Sequence, residues 1–129
     1  MNPDSFRQQI ASLATRIAGR PLDAALDTWL NAECGGIRYG RIFKPADDLH
    51  GFSVDVVDMA DIAGPHHLHP EGEIDLVMPL DDGARFDGRP AGWVVMPPGS
   101  AHRPTVSQGR ALVLYLLPNG RIDFTQESA

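Results

Sequence analysis

Three histidines and a carboxylate are spaced so that they can share one cation. His67 and His69 are separated by one residue. Alternate residues of a strand face the same side, so these two imidazoles point together while His66 and Leu68 point away. Pro70 holds His69 in extended geometry, as suits the end of a strand. A register slip of one residue would exchange His66 for His67. Glu73 and Asp75 open the next apolar run and share a face by the same alternation, which returns a carboxylate to the site. The segment Pro97-Pro98-Gly99-Ser100-Ala101-His102 places a turn before a third histidine that enters from a neighbouring strand. Imidazole nitrogens from His67, His69 and His102 with a Glu73 oxygen suit a divalent transition metal such as Fe, Mn, Ni, Co or Zn, with positions left open for water or substrate. This donor set does not distinguish among those metals. The plain alternative is a metal-free polar pocket whose histidines hydrogen-bond to their neighbours.

Around this group, Asp75 has three readings: a partner that orients a ligand histidine, a general acid or base, or a carboxylate at the rim. Glu73 is the other carboxylate able to move a proton. An aromatic carboxylate substrate would want a planar two-pronged cation, for which Arg38, Arg41, Arg85 and Arg103 are available. Arg103 directly follows His102 and should point the other way, so Arg41 and Arg85 are preferred. Tyr39 and Tyr115 are pocket candidates, although a strand tyrosine more often packs with a wet hydroxyl. Trp29 and Trp93 read as core, His50 as a loop residue, Glu71 as a solvated turn residue, and the single Cys34 as small apolar filler. The chain has no glycine-rich phosphate loop, no Gly-x-Ser-x-Gly elbow and no Cys-x-x-Cys pair, which disfavours nucleotide, serine-hydrolase and zinc-ribbon chemistry.

The elements that must position these residues are mostly strands. After Gly36 the pattern is one of short apolar runs between turns, as in an all-β sandwich or barrel. Strands are expected near 37–43, 52–59, 66–69, 73–78, 84–86, 92–96, 101–106, 111–117 and 121–125, with Asp82-Gly83, Asp87-Gly88 and Asn119-Gly120 as tight turns. Before Gly36 the period is helical. Phe6, Ile10, Leu13, Ala14 and Ile17 fall on one face of a helix over residues 4–18 that stops at Gly19. Pro21 opens a second helix carrying Leu22, Ala25, Leu26, Trp29 and Leu30, with Gly35-Gly36 as its end. Residues 1–35 are therefore expected as a helical extension to a barrel over 36–125, within one domain spanning 1–129. The two apolar stripes would close one end of the barrel or build a homodimer interface.

Composition sets the outer bounds. The 129 residues fit one core, and 43% hydrophobic with 22% charged content is that of a folded globule rather than a disordered chain. A formal net charge of −6, and no basic outer helix face, argue against nucleic acid as a partner. One cysteine allows no internal disulfide, the first residues do not resemble a secretion signal, and no stretch approaches the ~18 to 20 apolar residues of a membrane span. A cytoplasmic protein without a membrane partner is expected.

The pattern His67-x-His69-x-x-x-Glu73, followed by Pro97-x-Gly99-x-x-His102, resembles the two motifs of the cupin superfamily. That resemblance implies a double-stranded β-helix barrel holding one metal on these four residues. The sequence departs from the family pattern at Asp61, where a glycine usually stands, at Leu80 in place of another glycine, and at Val106 in place of an asparagine. The runs 67–75 and 98–106, with Leu114-Tyr115-Leu116-Leu117-Pro118, are also similar to small bacterial cupins that include 4-hydroxylaminobenzoate lyases. Those enzymes convert a hydroxylamino aromatic acid to protocatechuate and release ammonia. The reading is a metal-dependent enzyme acting on a small aromatic or carboxylated substrate, with a ring-cleaving cupin dioxygenase and a non-catalytic sensor cupin as alternatives.

Overall fold

The structure, a computed structural model, describes residues 30–125. The stretches expected as helices lie almost wholly in residues 1–29, outside the described residues. The boundary of the expected helical extension at residue 35 is corrected. Ala32–Cys34 forms strand β1 and pairs antiparallel with β2, Ile37–Phe43, with Cys34 opposite Ile37. Gly35 and Gly36, at φ 60° and 88°, make the two-residue turn between them. The same glycine pair can stop a helix or turn a hairpin, and positive φ at both positions is what a tight hairpin demands.

Nine more elements follow: a single 3-10 turn at Asp47–Leu49, then β3 (Phe52–Ala63), β4 (His67–His69), β5 (Glu73–Pro79), β6 (Arg85–Phe86), β7 (Gly92–Met96), β8 (Ser100–His102), β9 (Thr105–Pro118) and β10 (Asp123–Phe124). They form two sheets. The larger runs β1-β2-β3-β9-β5-β7 with β6 added to β9, and the smaller runs β10-β4-β8. The all-β barrel expected from the turn-and-run pattern is present, and among the described residues no helix is long and apolar enough to cross a membrane.

Two strands are longer than expected. β3 continues to Ala63, and the runs read as 101–106 and 111–117 are partly merged, because Thr105 to Pro118 is one strand. The polar residues that read as breaks are irregularities within the ladder. The β3–β9 register shifts between Ala60 and Ile62, where Asp61 takes φ 45°, and the facing residues Gln108 and Gly109 take φ 62° and 122°. Asp61 is one of the positions where a family glycine is replaced. Aspartate tolerates the left-handed region better than most side chains, and here its carboxylate also accepts the Gly109 N–H at 3.1 Å.

β3 and β9 are buried on both faces, which is why they read as near-continuous apolar runs. Inside the barrel, Met59, Val77, Val106, Ala111 and Val113 cluster with Ile37 and Phe86. On the opposite face of the large sheet, Val54, Val56, Leu76, Leu112, Leu114 and Leu116 pack with Leu30. Full burial of each such side chain contributes roughly 1.5–3 kcal/mol. Val106, another of the three departures, is 1% exposed and belongs to the inner cluster, so an apolar contact stands where the family has an amide.

Candidate metal centre

The small sheet delivers the imidazoles. β4 pairs with β8 so that His67 lies opposite His102, and His69 opposite Ser100. Alternation along β4 buries His67 and His69 while Leu68 is only half-buried, as the spacing predicted. His66 lies outside β4 and bonds through Nδ1 to the Thr125 hydroxyl. The three ring centroids are 4.6, 4.7 and 5.0 Å apart.

The carboxylate comes from the other sheet. Between β4 and β5 the chain reverses through Gly72, at φ 92°, where an added Cβ would stand 2.9 Å from the Met96 carbonyl oxygen. Only glycine fits there without displacing backbone. The His69 carbonyl accepts N–H groups from both Gly72 and Gly99, at 3.2 and 2.8 Å, tying the two histidine-bearing segments together. Glu73 then enters β5 with Oε2 3.2 Å from His69 Nε2.

One donor atom from each of His67, His69, Glu73 and His102 lies within 4.8 Å of every other. The separation of His67 Nε2 and His102 Nε2 is 3.0 Å. Two ligands at right angles, each ~2.1 Å from one ion, stand about 3.0 Å apart. Hydrogen-bond partners assign both tautomers, since His67 Nδ1 faces the Pro65 carbonyl at 3.2 Å and His102 Nδ1 faces the Asp87 carboxylate at 2.5 Å. Each Nδ1 therefore carries a proton, and the two Nε2 atoms face each other at a distance that one cation can bridge. Neither nitrogen of fully buried His69 has a well-formed hydrogen bond, so its ring too is a donor in need of an acceptor. The four residues fit a divalent metal.

Electrostatics agree with this fit. Burial, then the charges of His69 and His102, lower the His67 pKa from 6.5 to about 3. Burial, then His102, lower that of His69 to about 4. Both rings are neutral at physiological pH, the form that ligates metals. Glu73 and Asp75 are pushed upward, Glu73 by burial and then by Asp75, and Asp75 mainly by burial. Two adjacent buried carboxyls cannot both ionise cheaply, and a nearby divalent cation reverses that penalty for its ligand.

Asp75 is fully buried, which overturns the rim reading. Its two oxygens have no well-formed hydrogen bond, and the Glu73 carboxyl lies alongside. With Glu73, His67, His102 and Tyr115 it forms the polar end of a cavity of about 330 Å³ whose other walls include Ile37, Val57, Met59, Phe86 and Val113. Tyr115 is the β9 residue paired with Asp75, and its hydroxyl pKa is raised above the ordinary value by burial and by Asp55. Tyr39 also lines the cavity, although 40% exposed. Cys34 is exposed and lines the cavity, so it is not core filler.

The two preferred arginines are not among the lining residues. Arg41 pairs with buried Asp55 through Nε at 2.7 Å and reaches the Gly120 carbonyl at 3.3 Å, while Arg85 lies near the Ala84 carbonyl. Arg103 is exposed and donates to the Gly64 carbonyl. Two acids escaped the sequence reading. Asp55, in the same cross-strand row as Arg41 and Tyr115, also accepts from the Ser53 hydroxyl at 2.8 Å. Asp87, read only as a turn residue, bonds to His102. The signal for Asp55 was a lone acid between valines in an apolar run. Asp87 had none, because its place beside His102 follows from strand register.

The family described as PnbB: 4-hydroxylaminobenzoate lyase matches residues 31–124. A 4-hydroxylaminobenzoate lyase from Nocardioides sp. (strain LMS-CY) is 37% identical over 119 residues, spanning 84% of this chain and 70% of that protein. One from Pseudomonas putida is 32% identical over 140 residues, spanning 95% and 76%. Among solved structures, an RmlC-like cupin protein from Ralstonia eutropha JMP134 superimposes with a TM-score of 0.55 at 14% identity, over 75% of this chain and 64% of that one. The chain thus spans less than two thirds of that neighbour, and the likeness shows the fold, a cupin β-barrel. Sequence kinship over most of the length goes further: the chain belongs to the 4-hydroxylaminobenzoate lyase family.

Proposed function

We propose that this protein is a metal-dependent lyase that converts a hydroxylamino aromatic acid of the 4-hydroxylaminobenzoate type into protocatechuate and ammonia. The observation that carries this reading is the four-donor cluster at the polar end of a cavity with otherwise largely apolar walls, with the buried Asp75 carboxyl beside that of Glu73. A single aromatic ring suits a cavity of about 330 Å³. The reaction balances without an external oxidant: the N–O bond breaks and its oxygen leaves as water, two waters add to the ring for a net uptake of one, two hydroxyls end on the ring and nitrogen leaves as ammonia. Nitrogen is reduced as ring carbon is oxidised.

His67, His69, Glu73 and His102 would hold the ion. A divalent metal supplies Lewis acidity at the hydroxylamino oxygen or at water. With Glu73 committed as a ligand, the proton shared by the carboxyl pair belongs to Asp75. Asp75 would then donate that proton to the departing oxygen and recover one from the entering water. Tyr115, beside it, would orient the polar end of the substrate by hydrogen bonding, while the valine, methionine and phenylalanine walls hold the ring and exclude water.

The test is turnover of 4-hydroxylaminobenzoate by protein stripped with chelator and reloaded with single metals, following ammonia and protocatechuate together. Equal amounts of both, dependent on metal, are expected. Ligand binding without product would contradict the lyase reading and favour a sensor. Oxygen consumption with catechol substrates would favour a dioxygenase.

A further inference from the structure

Asp87 sits at φ 51° in the Asp87-Gly88 turn after β6. Its two carboxylate oxygens have different partners. Oδ1 accepts the Thr105 N–H at 2.9 Å, and Oδ2 accepts from His102 Nδ1 at 2.5 Å. The Asp87 N–H in turn donates to the Thr105 carbonyl at 2.8 Å. The carboxylate is thus clamped to the start of β9, three residues beyond the histidine it touches, and cannot swing away without breaking that clamp. Both Asp87 oxygens accept, so His102 carries a proton at Nδ1 and turns its Nε2 toward His67.

We infer that Asp87 is the positioning residue of the centre, fixing the tautomer and ring plane of His102 so that its Nε2 is ready for the ion. The inference rests on the metal reading above. Among the three histidines, His67 is oriented by a backbone carbonyl, and His69 by packing and by Glu73 of the same donor set, 3.2 Å away. His102 is the histidine held by a side chain outside the donor set.

The isosteric change Asp87→Asn separates this role from turn formation, because asparagine also tolerates positive φ. Its amide has one oxygen for two donors. If that oxygen keeps the Thr105 N–H, the NH2 group faces His102 Nδ1 and drives the proton to Nε2, where the ion should bind. If the amide turns over, its NH2 opposes the Thr105 N–H.

The experiment measures Zn2+ and Co2+ affinity by competition with a chromophoric chelator for the wild type, Asp87→Asn, His102→Ala and the double variant. Asp87→Asn is expected to weaken binding roughly 10- to 100-fold, and to add no further loss in the His102→Ala background. Nitrogen NMR of the metal-free wild type, which needs no substitution, should show His102 protonated at Nδ1. A wild type that binds no stoichiometric metal overturns the metal reading and this inference with it. A wild type that binds while Asp87→Asn binds equally well overturns the inference alone. So does an equal loss in the His102→Ala background, or an Nε2-protonated His102 in the wild type.

Discussion

His67, His69 and His102 each bring a nitrogen to one point by two simple rules: strand alternation aims the first two together, and a turn followed by a strand brings in the third. Glu73 followed from the short return after Pro70. The neighbours that tune these ligands were not legible, since Asp87 reaches His102 only through the pairing of β6 with β9, with Phe86 opposite Val106. Arg41 was attractive as a free cation, yet buried Asp55 claims it. Two predictions belong to this scale. His69→Ala removes a fully buried donor and should abolish stoichiometric metal by elemental analysis, and full retention would show that the ligand set is wrong. Asp75→Asn should keep the metal but lower kcat by about 10²- to 10⁴-fold, the range for loss of a general acid or base. Unchanged turnover would remove Asp75 from the chemistry.

At the level of elements, the site depends on where the chain changes sheet. β4 and β8 bring nitrogen donors from one layer, and β5 brings the carboxylates from the other, so the reversal through Gly72 sets the distance between them. Gly72→Ala would force an L side chain to φ 92° and drive its Cβ against the Met96 carbonyl. A cost of about 1–3 kcal/mol is expected in urea unfolding, with weaker metal binding as Glu73 shifts. Unfolding and affinity both like the wild type would contradict this account of the turn. Most strands were legible from their apolar runs. The true extents of β3 and β9 were not, because a bulge built from Asp61, Gln108 and Gly109 has the composition of a turn. Gly35-Gly36 misled for a related reason, as the same glycines serve helix ends and hairpins.

For the molecule as a whole, the centre makes stability depend on pH in two opposed ways. His67 and His69 titrate well below 6.5 when folded, so unfolding takes up protons and stability falls as pH drops from about 6.5 through 4. Glu73 and Asp75 titrate above their ordinary range, so their contribution is complete below about pH 4 and is lost as pH rises through their raised folded values. The metal-free protein should therefore be most stable in mildly acidic solution, with a Tm that falls toward neutrality. Metal loading should move the maximum to neutral pH or above, since a cation takes the place of the carboxyl proton. Tm measured from about pH 4 to 9, with and without chelator, checks both. A metal-free Tm that is flat from about pH 6 to 9 would contradict the assignment of protons to the carboxyl pair.

The most direct measurement is a crystal structure of the metal-loaded protein with anomalous data collected at the absorption edge of the bound element. One peak is expected, about 2.0–2.2 Å from a nitrogen of each of His67, His69 and His102 and from a Glu73 oxygen. A peak elsewhere, or a saturated crystal with none among these four side chains, would show that they do not form a metal centre.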